Sequence, residues 1–244
     1  MATPVARAED PAAAYRRLAA AYEQSLRYAE DVRGLHHRLQ RAIGQSLQGL
    51  ANALEAKDPY TRGHAERVAA CSRALGEALT LPPGVMQTIT QAGLLHDIGK
   101  IGVPEHVLGK AGALDADDWD AMRRHPVIGA QIIAPYEFLA EAALIVRHHH
   151  ERWDGSGYPD GLSGPAIPPG ARIVAVADVF DALTSDRPYR RRVSRGAALD
   201  HLVREAGVTP DPEVVAALVA AEGGNGGIAA IPPLPNNVGA RGSP

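Results

Sequence analysis

Leu94-Leu95-His96-Asp97-Ile98-Gly99-Lys100 sets an imidazole beside a carboxylate at the end of an apolar stretch that includes Ile89, Ala92, Leu94 and Leu95. Desolvating both groups is unfavourable unless each finds a partner. Metal ligation would satisfy them. His64 lies upstream, while His125, the run His148-His149-His150-Glu151 and Asp178 lie downstream. Neutral imidazoles mixed with carboxylates suit a mid-row divalent ion such as iron, manganese, zinc or nickel. One Asp has two oxygens and can bridge two ions, an arrangement suited to in-line attack on phosphorus. Any one of these histidines taken alone reads better as a buried, hydrogen-bonded core residue. Three adjacent histidines also read as a surface turn or a loose metal-binding tract. The constellation as a whole favours a metal centre.

Outward from that stretch the pattern is helical. Residues 1–11 are polar with Pro4 and Pro11 and are expected to be disordered, as is the Gly-, Pro- and Asn-rich tail 223–244. From 12 to 56 the chain is rich in Ala, Leu, Arg, Glu and Gln, with no proline. Tyr15, Tyr22, Ala29, His36, Ile43 and Leu50 share one heptad class, and Leu18, Ser25, Val32, Leu39 and Ser46 the other. This seam, imperfect at its Ser and His positions, predicts a coiled-coil stalk and a homodimer through it. The alternative is a single amphipathic helix lying on the domain. Asp58-Pro59 breaks that helix, with Thr61 as the expected cap of the next. Helices are expected over 85–98, 115–124, from His125 through Ile133, over 138–148, 196–206 and 212–221. Segment 153–170, dense in Gly and Pro, predicts a shaped loop. Residues 173–183 could be read as a strand, but their alanines, together with the resemblance given below, make them a helix.

The chain has 25 basic and 28 acidic residues, net −3, which offers no general nucleic-acid or membrane surface. No apolar run is long enough to span a bilayer. The single cysteine, Cys71, cannot form an internal disulfide and reads as buried filler in a reducing, cytoplasmic setting.

Leu95 to Pro104 (Leu-His-Asp-Ile-Gly-Lys-Ile-Gly-Val-Pro) resembles the HD half of an HD-GYP domain. His149-His150-Glu151-Arg152-Trp153-Asp154-Gly155-Ser156-Gly157-Tyr158-Pro159 resembles its GYP half, and Asp178 to Arg190 the block that follows. The HD doublet alone is shared by many phosphohydrolases; the long GYP string in this order is specific. The resemblance implies an all-α HD-domain helical bundle over 57–222, preceded by a long helix. It implies a metal-dependent phosphodiesterase that opens cyclic di-GMP to linear pGpG, then GMP in a second step, through a metal-bridging hydroxide. Alternatives are a phosphodiesterase for another cyclic dinucleotide such as cyclic GMP-AMP, or a weakly active module that binds the dinucleotide or a diguanylate cyclase. A general HD nucleotide phosphohydrolase fits the GYP string poorly.

The resemblance also assigns residues. One divalent ion takes His64, His96, Asp97 and Asp178; the other takes Asp97, His125, His149 and His150, so Asp97 bridges. Iron or manganese is expected first, nickel or zinc next. Lys100, Arg187 and Arg190 match positions that contact substrate phosphate, with Lys100 and Asp97 the catalytic pair. Tyr158 lines the loop beside the site, to stack on a base or to pack under the loop. Glu151 is expected behind the ligands, orienting a histidine. Some members bind a third metal through a Glu four residues before the first His; Tyr60 stands there, so two ions are expected, with Glu55 placed too early to match. A diguanylate cyclase or a response regulator is the expected protein partner.

Overall fold

The structure, a computed structural model, describes residues 10–58, 63–110, 112–186 and 191–223. The disorder expected at both termini, the Thr61 cap, the Tyr60 position and the Arg187 and Arg190 assignments lie outside the described residues, save that helix α1 already begins at Pro11. The described residues form helices and loops, with no strand among them. The helices are α1 (Pro11–Lys57), α2 (His64–Ala78), α3 (Pro83–Leu95), α4 (Glu105–Leu108), α5 (Ala116–Met122), α6 (His125–Ile133), α7 (Ala140–His148), α8 (Pro169–Thr184), α9 (Arg195–Glu205) and α10 (Pro212–Gly223). Short 3-10 turns occupy Ile98–Gly102, Glu137–Leu139 and Gly164–Ala166.

The chain divides into two compact units, one ending at Ser46 and one beginning at Leu47. In the first, α1 leaves Tyr15, Leu18, Tyr22, Leu26, Tyr28, Val32, Leu35 and Leu39 exposed. The second unit starts with the last turns of α1, which bury Leu47, Ala51 and Leu54. Its core is a bundle in which α2 packs on α3 and α8, α3 on α7, and α6 on both α7 and the Ile98–Gly102 turn. Val68, Leu75, Ile89, Leu95, Val146, Val174, Val176, Leu202 and Leu218 fill the space between them.

Three helix boundaries place the site. Gly63, at φ +67°, adopts the left-handed conformation that glycine tolerates best, and it turns the chain into α2 so that His64 becomes the first helical residue. The helix expected over 85–98 instead ends at Leu95, and Ile98–Gly102 tightens into a 3-10 turn. The reason is a close approach: a Cβ on Gly99 would overlap the His125 carbonyl, so the turn lies directly on the first residues of α6. The segment 173–183 is helical despite its β-branched residues. Pro169 starts α8, and Ile173, Val174, Val176, Ala177 and Phe180 are buried along it. Packing on several sides overrides the weak strand propensity.

Candidate metal centre

Five imidazoles adjoin one another in the second unit, in edge-to-face or tilted pairs. Ring centroids lie 5.1 Å apart for His64–His96, 5.2 Å for His96–His149, 5.3 Å for His125–His149 and 5.0 Å for His125–His150. His96 and His149 are 1 % exposed and His125 2 %, so their unpaired nitrogens have no access to bulk water. The rings arrive from helix ends: His64 opens α2, His96 follows α3, His125 opens α6, and His149 and His150 follow α7. Asp178 comes from the middle of α8.

Hydrogen bonds fix which nitrogen faces the centre. The Nδ1 atoms of His96, His125 and His149 lie 2.7, 2.8 and 2.7 Å from the carbonyls of Gly93, Met122 and Val146, each three residues back. A carbonyl only accepts, so each Nδ1 carries the proton and each Nε2 offers a lone pair inward. Nε2 of His96 is buried with no hydrogen-bond partner. Nε2 of His125 and Nε2 of His149 face each other at 3.4 Å. Lone pairs gathered in this way fit a cation, and the resident metals that the donor set implies can be held by these residues. Among the described residues three groups have ligand atoms mutually within 4.8 Å: His64, His96 and Asp178; His125, His149 and His150; and His148, Glu151 and Asp160, of which the first two lie in the line of imidazoles.

Asp97 sits between the clusters. Its Oδ1 is 3.4 Å from His125 Nε2, and its Oδ2 is 3.5 Å from His96 Nε2 and 2.7 Å from Lys100 Nζ. Burial would raise the Asp97 carboxyl, but Lys100 and the surrounding histidines hold it well below the usual carboxylate range. Lys100 is largely covered, and Asp58 lies 3.7 Å from its amine. Burial would lower the Lys100 amine; Asp97 and Asp58 keep it raised and charged.

Several roles were not legible beforehand. Asp181 accepts from Arg67 Nε at 2.5 Å and stands 2.7 Å from His64 Nδ1. It therefore orients His64 toward Asp178, whose Oδ1 lies 3.3 Å from His64 Nε2. The available signals were spacing alone: Asp181 follows Asp178 by three residues, and Arg67 follows His64 by three. Glu151 does not touch a ligand ring through its carboxylate. Its two oxygens accept from the backbone N–H of Asp160 at 2.7 Å and of Leu162 at 3.1 Å, pinning the 153–170 loop. His148, the first of the triplet, turns away and bonds Asp160 at 2.9 Å. Arg147 grips the same carboxylate at 2.8 and 2.7 Å. Trp153 faces Arg172, 5.7 Å from its ring, rather than the histidines.

Tyr158 stacks on His150 at 4.9 Å and 30°. Burial, then the charges of Asp97 and Asp178, push its hydroxyl well above the ordinary phenol range, so it remains a hydrogen-bond donor across the physiological range. Cys71 is buried and its thiol is pushed up to about 12, as expected of packing filler.

Comparison with known proteins gives consistent matches. The HD domain profile matches residues 48–214. The cyclic di-GMP phosphodiesterase response regulator RpfG of Xanthomonas campestris pv. campestris is 46% identical over 177 residues, covering 72% of this chain and 47% of that protein. The 3'3'-cGAMP-specific phosphodiesterase 3 of Vibrio cholerae is 40% identical over 168 residues, covering 68% and 36%. The chain thus spans less than half the length of either curated relative. Among solved structures, the V. cholerae cyclic GMP-AMP specific phosphodiesterase V-cGAP3 shares the fold at a TM-score of 0.57 with 21% identity, over 70% of this chain and 46% of that one.

Proposed function

The chain belongs to the HD domain family, and from that premise we propose that it is a metal-dependent phosphodiesterase opening cyclic di-GMP to linear pGpG. One observation carries the reading: Asp97 presents one oxygen to each of two histidine clusters whose free nitrogens converge. Two divalent ions bound there, iron or manganese foremost, would neutralise phosphate charge and make an attacking water acidic.

The chain's own residues do the rest. The paired Nδ1 protons hold the imidazoles of His96, His125 and His149 in one tautomer, so these rings need not reorient on ligation. Lys100 keeps a full positive charge beside Asp97, placed to neutralise a non-bridging phosphate oxygen. Tyr158, stacked on His150, offers a protonated hydroxyl beside the second cluster. In the reaction the water oxygen bonds phosphorus, the 3′ ester P–O bond breaks, and the leaving oxygen takes a proton. Arg187 and Arg190 are assigned to phosphate by the sequence resemblance.

Cyclic di-GMP is favoured because the relative at 46% identity bears that activity in its name. Cyclic GMP-AMP is the second reading, since another relative at 40% is named for it. The eight exposed apolar side chains along the part of α1 that lies in the first unit support a homodimer through that helix. A monomeric mass in solution at micromolar protein would contradict it. Signal input through a response-regulator segment is supported by the name of the first relative.

The test is anaerobic incubation of the protein with cyclic di-GMP, or with cyclic GMP-AMP in parallel, plus Fe²⁺ or Mn²⁺, followed by product chromatography. Metal-dependent pGpG that disappears in Asp97→Ala is the expected result. Bound metal and bound dinucleotide without turnover would replace the enzyme by a binding module.

A further inference from the structure

A ladder of π surfaces runs outward from the metal centre. His150 stacks on Tyr158. The Arg123 guanidinium carbon lies 5.8 Å from the Tyr158 ring centroid and 5.9 Å from that of Trp119. Arg123 is exposed, and Trp119 is 47% exposed. A single exposed aromatic needs no explanation by itself. This one is the outer end of a stack whose inner end is a candidate ligand, and it is held on a rigid mount. Asp115 and Asp118 form a reciprocal capping box at the start of α5, and Lys110 binds both carboxylates. Arg123 follows α5 directly, two residues before His125.

We propose that Trp119 and Arg123, together with Tyr158, form the stacking subsite for one purine base of the substrate. This rests on the cyclic-dinucleotide reading above and adds residues which that reading did not contain. A cyclic dinucleotide held by one phosphate at the histidine clusters must project its bases away from them. An aromatic face and a guanidinium plane contiguous with the clusters are what a base stacks on, whatever its identity. Arg123 also brings donors that suit the O6 and N7 acceptors of guanine. Trp119 thus supplies stacking and Arg123 the preference for a guanine edge.

The test uses the full chain loaded with Mn²⁺. Tryptophan fluorescence is titrated with cyclic di-GMP, and steady-state kinetics are measured on cyclic di-GMP and on bis(p-nitrophenyl) phosphate, which has no purine. The expected result is quenching that is lost in Trp119→Ala. The KM for cyclic di-GMP should rise about tenfold in Trp119→Ala and in Arg123→Ala, with kcat changed far less. The loss should be greater on cyclic di-GMP than on the purine-free ester, and Trp119→Phe should recover most of it. Equal losses on both esters, or a KM within twofold of wild type, would overturn the subsite. Quenching that depends on Trp119 without turnover would keep the subsite and overturn the proposed activity. Turnover indifferent to Trp119 and Arg123 would keep the activity and overturn the subsite.

Discussion

The two histidine clusters flanking Asp97 have the same number of side chains and opposite electrostatics. In the first, burial would lower His64, yet its hydrogen bonds to Asp178 and Asp181 raise it to about 9. In the second, burial lowers His125 and His149, the latter well below the ordinary range and further depressed by His150 and His96. His150 falls to about 4 through burial and the charge of His125. At neutral pH the second cluster is therefore three neutral donors ready for a cation. The first holds a proton between two carboxylates and must release it before His64 can ligate. The contrast teaches that an electroneutral site can be preorganised in two ways: by carboxylates that wait with a proton, or by imidazoles too desolvated to take one.

The most damaging way to break this comparison is to remove what both clusters share. Gly99→Ala would drive a Cβ into the His125 carbonyl, displacing the turn that carries Asp97. The expected cost is about 3 kcal/mol or more, seen as a lowered midpoint in chemical denaturation. Asp97→Ala leaves the turn in place but deletes both bridging oxygens. Turnover of cyclic di-GMP should fall at least about a thousandfold, as loss of several kcal/mol of metal-derived stabilisation requires.

Halving the site sharpens the contrast. Asp178→Asn should remove the ion of the first cluster and His150→Asn that of the second, each visible as loss of one metal equivalent by elemental analysis. A smaller effect is expected behind the first cluster. Asp181→Asn keeps the size but weakens the acceptor for His64 and Arg67. Metal affinity measured against a competing chelator should drop about 10- to 100-fold, with Asp181→Glu recovering part.

The mildest probe is pH. His64 is raised in the metal-free protein, so it is protonated below about 9 and loses its proton above that value. Ion uptake by the first cluster should release about one proton near pH 7 and almost none near pH 10. Calorimetry in two buffers of different ionisation enthalpy reads this directly. The same shift makes the His64–carboxylate contribution to metal-free stability present below the unfolded value of about 6.5 and lost as pH rises through about 9.

Much of this was readable in the chain itself. Helical composition, the heptad stripe and the ordered HD and GYP strings point to an all-α HD domain, and the choice of His149 and His150 over His148 follows the motif. What was not readable is tertiary. α3 stops at Leu95 because Gly99 must lie on α6 against His125, twenty-six positions further along the chain. Asp181, Asp58 and Asp160 gain their roles only when α2, the HD turn and α7 come together. Glu151 looks like a ligand's neighbour in sequence, but its oxygens face the loop amides that Gly157 and Gly161 let fold back. Trp119 carries no sequence signal beyond being apolar in a polar helix.

The central claim is that Asp97 joins two ions, and electron paramagnetic resonance of anaerobically Mn²⁺-reconstituted protein tests it most directly. The account predicts two manganese per chain with a spin-coupled signal that Asp97→Ala abolishes. An isolated six-line Mn²⁺ spectrum at full loading, or more than two ions per chain, would contradict it.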